Sequence, residues 1–114
     1  MNTYEEVRKR LDSYGASDIA HQRWETGVEL RAIDVYGVNN QTWQALEEIF
    51  ELGLAICKLH RERTQDRYSD LVEEIADVGI MLDQIMLMYD CQDAVHAVRT
   101  DKLARLERRL NGGE

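Results

Sequence analysis

Glu48 and Glu51 stand three residues apart, and so do Glu74 and Asp77. On a helix that spacing puts two carboxylates about 60° apart around the axis and about 4.5 Å along it, on one face. Each pair adjoins apolar positions, with Phe50, Leu52 and Leu54 beside the first and Ile75 and Val78 beside the second. Carboxylates gathered at the margin of an apolar stripe repel one another and lose hydration, so they call for a neutralising group. An all-oxygen donor set suits Mg²⁺, with Mn²⁺ as an alternative, and Mg²⁺ keeps positions open for water or phosphate oxygens. Glu at this spacing also decorates solvated helix faces. What singles these residues out is two such clusters on neighbouring helices, both next to the apolar stripe. A di-iron bundle site is disfavoured, because it wants Glu-x-x-His on two helices and the third position here is Glu51 or Asp77.

The elements that must position these acids are helical. Strict two-residue alternation is missing, and apolar residues recur at three- and four-residue spacing. A first helix is predicted over about Thr3 to Leu11, opened by the capping box Thr3-x-x-Glu6 and broken at Ser13-Tyr14-Gly15. Ser17 caps a second helix to about Val35, closed by Tyr36 and a left-handed Gly37. Val38-Asn39-Asn40 reads as a connection. The third helix spans about Gln41 to Arg63, with Thr64 to Tyr68 as a polar break. Ser69 caps the fourth, which runs to about Tyr89, and a last helix from about Asp93 stops at Asn111-Gly112-Gly113. A short loop between the two longest helices favours antiparallel packing, which would bring all four carboxylates to one point. The expected fold is an all-α antiparallel bundle of four to five helices in a single domain over residues 1–114, its contribution from residues 1–35 being the least defined.

Composition narrows the function classes. The chain has 114 residues, 44% hydrophobic and 32% charged, with no proline, which is a globular balance that leaves helices uninterrupted. Cys57 and Cys91 lie far apart, so neither a disulfide framework nor a zinc pattern is expected. No apolar run approaches membrane-spanning length, and the polar start Met1-Asn2-Thr3-Tyr4 lacks a secretory h-region. A cytoplasmic protein without a membrane partner is expected. The net charge of −8 repels a bare polyanion and argues against nucleic acid. A small phosphate ligand is still admissible if a divalent cation lies between it and the acids.

Glu47-Glu48-x-x-Glu51, then 22 residues, then Glu74-x-x-Asp77 resembles the signature of the MazG-type all-α nucleoside triphosphate pyrophosphohydrolases. Tyr36-Gly37-Val38-Asn39-Asn40-Gln41 is similar to the stretch that precedes that signature. Glu73-Glu74-Ile75-Ala76-Asp77-Val78 resembles its second motif, and Lys102-Leu103-x-x-Leu106 with Arg105 its C-terminal basic segment. The likeness covers about Tyr36 to Leu110 and is nearest to short phage- and bacterial-type members. Asp101 stands where related proteins often place Asn.

The resemblance implies a helical bundle that forms a homodimer or homotetramer. It implies Mg²⁺-dependent cleavage of a nucleoside or deoxynucleoside triphosphate into the monophosphate and pyrophosphate. By motif position, Glu48, Glu51, Glu74 and Asp77 hold the metal, and Glu47 orients the water. Lys102 and Arg105 meet phosphate on the same grounds. The residues themselves add Lys58, two turns beyond Glu51 on nearly the same face, and Trp24 and Trp43 as candidates for stacking on the base, with Gln41 and Asn40 as hydrogen-bonding neighbours. Other readings are a relative acting on phosphoribosyl-ATP and a non-catalytic helical interaction protein whose acids are solvated.

Overall fold

The computed structural model describes Glu5, Glu6, Lys9 and residues 19–113. Those first three residues are helical; the rest of the helix expected over Thr3 to Leu11, the break at Ser13-Tyr14-Gly15 and the Ser17 cap lie outside the described residues. From residue 19 onward the chain forms α1 (Ile19–Tyr36), α2 (Val38–Arg61), α3 (Gln65–Tyr89) and α4 (Gln92–Leu110), with no strand among the described residues. Among the described residues, no helix is long and apolar enough to cross a membrane. Cys57 and Cys91 are free thiols.

The helix boundaries follow backbone chemistry more closely than composition. Val38, Asn39 and Asn40 belong to α2 and are not a connection. Asn40 and Thr42 turn their side chains back on the helix, donating to the Tyr36 and Val38 carbonyls at 2.8 Å each. The break is Gly37 alone. Its N–H donates to Ile33 O at 2.8 Å and its carbonyl accepts from Gln41 N–H at 3.0 Å, so one residue ends α1 and opens α2. Its φ of 91° and ψ of 151° lie outside the left-handed helical well expected of it, in a region open in practice to glycine only.

α3 opens at Gln65 rather than after Ser69. Thr64 caps it by accepting from Arg67 N–H at 3.2 Å, and Asp66 places a negative charge at the positive end of the helix. The α2–α3 link is therefore only Glu62-Arg63-Thr64, shorter than the predicted polar break. α3 ends at Tyr89, where Asp90 takes the left-handed conformation at φ 50° and Cys91 N–H reaches back to Met86 O at 3.0 Å.

α2 and α3 form the main packed pair, an antiparallel hairpin. Gln41 lies opposite Gln84 at one end, and the Lys58 carbonyl meets Arg67 at the other, near the loop. Ala45, Ala55, Val78 and Met81 are buried between the elements. α1 lies against both α2 and α3. Among the described elements α4 touches only α3, and it buries no residue. The radius of gyration is 17.0 Å, against about 13 Å for a compact chain of this length. Val98, Leu103, Leu106 and Leu110 on α4 remain exposed, as do Phe50 and Ile56 on α2.

A polar contact fixes the hairpin's register. Gln41 Nε2 donates to Gln84 Oε1 at 2.7 Å, and both side chains are buried. Removing one partner strands the other amide away from water. Gln84→Ala should lower unfolding free energy by about 1–3 kcal/mol, and Gln41→Met with Gln84→Met together should cost less than either single change. Urea denaturation of the three variants measures this.

Candidate metal-binding site

The hairpin register brings the acidic pairs together. One carboxylate oxygen each from Glu48 on α2 and from Glu74 and Asp77 on α3 lie within 4.8 Å of one another. Glu48 Oε1 accepts from Gln44 Nε2 at 2.8 Å, which orients its carboxylate along α2. Glu48 Oε2 and Glu74 Oε2 are shielded from solvent and meet no hydrogen-bond donor from outside the acid cluster. Two unpartnered carboxylate oxygens beside a third acid form a donor set that fits a hard divalent cation.

Glu51 belongs to the same electrostatic cluster, although it is exposed and lies outside that trio. The negative charge of Glu48 raises its pKa above the ordinary carboxylate value; lost hydration, a contact with Glu48 and the charges of Glu47 and Asp77 add to this. Glu74 is pushed up to about 7, first by lost hydration, then by sharing a proton with Glu48 and by the charges of Glu51, Glu48 and Asp77. Carboxylates that face each other this closely hold a proton unless a cation replaces it.

A groove of about 200 Å³ runs beside the cluster between α2 and α3, lined by Glu51, Glu74, Lys58 and Arg67 among others. Lys58 therefore faces the same space as two of the acids. Arg67 joins it without having been picked out from the sequence, where it fell inside a stretch read as a loop. Its guanidinium donates to Lys58 O at 2.8 Å and lies 3.4 Å from Glu62, which ties it across the hairpin turn. A Thr cap three residues before an Arg was the signal that this residue starts a helix.

The other sequence candidates separate into two places. Gln41, Trp43 and Glu47 line a different, shallow groove of about 520 Å³ with Tyr36 and Asn40. Gln41 is committed to Gln84 there, whereas Trp43 is 61% exposed. Lys102 and Arg105 lie exposed on α4, with Lys102 beside Val95, Val98 and Leu106. Among the described elements α4 contacts only α3, so one chain does not bring these two to the acids of α2. A buried acid, Glu29 on α1, was not anticipated at all.

No protein-family model, curated protein or solved structure matches the chain. The reading of the site therefore stands on its own geometry and chemistry.

The raised carboxyls set a pH dependence. Glu29 and Glu74 each rise from 4.5 to about 7 on folding, so between those values the folded chain binds more protons than the unfolded one. Stability contributed by that extra protonation is present at the acidic end of the window and is lost as pH rises through about 7. With EDTA present, the melting temperature should fall as pH is raised from 5 to about 8. At the alkaline end, Mg²⁺ at a hundredfold its dissociation constant should restore about 2.7 kcal/mol. Differential scanning fluorimetry across the pH series tests both, and a Mg²⁺ effect that persists unchanged in Glu48→Gln would place the ion elsewhere.

Proposed function

We propose that the chain is a Mg²⁺- or Mn²⁺-dependent pyrophosphohydrolase that cleaves a nucleoside or deoxynucleoside triphosphate to the monophosphate and pyrophosphate. The observation that carries this reading is the approach of Glu48, Glu74 and Asp77 to within 4.8 Å, with two of their oxygens unpartnered. The resemblance of the acid spacing to the MazG-type signature supports it.

In this reading Glu48, Glu74 and Asp77 hold the cation, and Glu51 borders it. When bound, the cation offsets the triphosphate's charge, polarises the phosphoryl group and lowers the pKa of a coordinated water. Glu51 stands at the edge of the cluster with an elevated proton affinity, which suits it to take the proton of the attacking water. The water oxygen bonds to the α-phosphorus, the α–β anhydride bond breaks, and pyrophosphate leaves with the electron pair. Lys58 and Arg67 face the groove beside Glu51 and Glu74, where they pair with phosphate oxygens and stabilise the charge on the leaving group. Glu47 acts at one remove, through its charge on Glu51. The exposed ring of Trp43 offers a stacking surface for the base.

The same reading makes the protein a homodimer or homotetramer. α4 exposes Val98, Leu103, Leu106 and Leu110 and, among the described residues, meets only α3. A second copy packed on this face buries these residues and carries Lys102 and Arg105 toward a neighbour's acids. Leu103→Asp and Leu106→Asp should each shift the protein to monomer in sedimentation velocity. A monomeric parent chain would remove the oligomeric part of the proposal and leave the site untouched.

Activity is measured by incubating a panel of nucleoside and deoxynucleoside triphosphates with Mg²⁺ and separating the products. Monophosphate and pyrophosphate should form in equal amounts. Glu51→Gln and Asp77→Asn should each reduce kcat/KM by about 100-fold or more. Diphosphate and orthophosphate as products would mean that a different bond is cut. No turnover with any nucleotide would leave the acids as a cation site in a non-catalytic protein.

A further inference from the structure

A second acidic site lies on the opposite side of α3. Glu29 on α1 is only 7% exposed, and its Oε2 is shielded from solvent and meets no donor outside the acids. Asp83 on α3 lies within hydrogen-bonding reach of Glu29, and the pair borders a groove of about 360 Å³. Glu25 also borders this groove, but it already has a partner in His21 at 3.0 Å. No Lys, Arg or His lines the groove, and no basic side chain pairs with Glu29 or Asp83 among the described residues. A carboxylate with an unpartnered oxygen, more than nine-tenths buried and facing a second acid, is costly unless a cationic group meets it.

The geometry selects the kind of cation. Glu48, Glu74 and Asp77 are the one set of three acids among the described residues whose oxygens come within 4.8 Å of one another, so Glu25, Glu29 and Asp83 do not converge on a point. A small octahedral ion would find only the Glu29–Asp83 pair here and would have to complete its shell with water beside an apolar wall. An alkylammonium or guanidinium group needs no such shell. It carries several N–H donors that reach separate acceptors at about 2.7–2.9 Å. Met86 and Leu87 supply apolar wall for an alkyl stem, and the neutral side chains of Gln22 and Gln92 complete the lining beside the acids. The volume falls in the range of small-molecule sites. Burial and the charge of Asp83 also raise Glu29 to about 7, so the pair holds a proton that an incoming cation displaces.

We propose that the groove between α1 and α3 binds an alkylammonium or guanidinium group, held by Glu29 and Asp83. The group belongs either to a free amine or to a Lys or Arg side chain of a second copy of this chain. α4 is a basic segment that could offer the latter, since Arg99, Lys102, Arg105, Arg108 and Arg109 outnumber Asp93, Asp101 and Glu107 on it.

The test uses the whole protein at alkaline pH with EDTA, titrated with 1,4-diaminobutane and separately with NaCl at equal ionic strength. Calorimetry should show saturable diamine binding that is weakened about tenfold or more in Glu29→Gln and in Asp83→Asn and is unchanged in Glu74→Gln. If a second copy already fills the groove, sedimentation should instead show self-association that the same two substitutions weaken about tenfold and that the diamine competes away. Asp83 is exposed, so its variant carries the test if Glu29→Gln fails to fold. The proposal is overturned if neither diamine binding nor self-association depends on Asp83, or if NaCl reproduces the whole diamine effect. Nucleotide hydrolysis does not enter the readout, so failure here leaves the pyrophosphohydrolase reading standing.

Discussion

Like-charge crowding across the α2–α3 hairpin is the constraint on which the rest of the structure turns. Two unit charges 4 Å apart interact with about 4 kcal/mol at an effective dielectric of 20. A chain that presses Glu48 and Glu51 against Glu74 and Asp77 therefore needs both a rigid register and a compensating charge. The register comes from uncharged contacts. Gln41 and Gln84 bond at one end, Arg67 donates to the Lys58 carbonyl at the other, and the small Ala45 and Ala55 let the helices approach. The acids lie between these fixed points and cannot slide apart without breaking a buried amide pair. That is preorganisation in the physical sense: packing and hydrogen bonds hold the geometry, and the ligand has only to neutralise it.

The buried core is too small to account for the whole architecture by itself. The buried hydrophobic residues are Ala45, Ala55, Val78 and Met81, all of modest or flexible side chain, and none of the bulky apolar residues of α4 is covered. An amphipathic helix that buries nothing gains little stability from its own chain, because most helical stability in proteins comes from packing one face. The apolar residues of α4 thus form an exposed apolar face, and the proposed self-association rests on it. The placement of α4 also explains why its basic residues are remote from the acids within one chain, since among the described elements the helix that carries them meets only α3.

Much of this was legible in the sequence, and what was not has identifiable causes. The three-residue spacing of Glu48 with Glu51 and of Glu74 with Asp77 fixes which carboxylates share a face. The short link between two long helices gives their antiparallel sense. Those two facts alone bring Glu48 to Glu74 and Asp77. Helix starts were less legible. Asn39 and Asn40 favour turns by propensity, yet Gly37 absorbs the whole change of direction and the Asn residues join α2. Ser69 is a good cap by type, but Thr64 takes the role earlier and carries Arg67 into the first turn of α3. Glu29 gave no signal, because a single Glu in a helix of mixed polarity has no periodic partner. Its significance arises only when α1 lies across α3 and meets Asp83, a contact between residues far apart in the chain.

The two acidic sites share α3 yet differ in what they can hold, and the difference lies in the geometry of the opposing helix. Glu74 and Asp77 lie toward α2, which runs antiparallel to α3 in the register held by the Gln41–Gln84 bond, so three oxygens gather around one centre. Asp83 meets α1, which enters through the single-residue turn at Gly37 and presents one buried carboxylate rather than a spaced pair. Converging oxygens favour a compact ion that pulls them closer still. A pair of acids with no third carboxylate beside it, set against the apolar wall of Met86 and Leu87, suits a larger cation whose charge is spread over several donors. Both sites meet the same electrostatic demand, since a chain of net charge −8 that buries carboxylates must find positive charge somewhere. The spacing of the oxygens, set by helix register, decides which kind each site accepts.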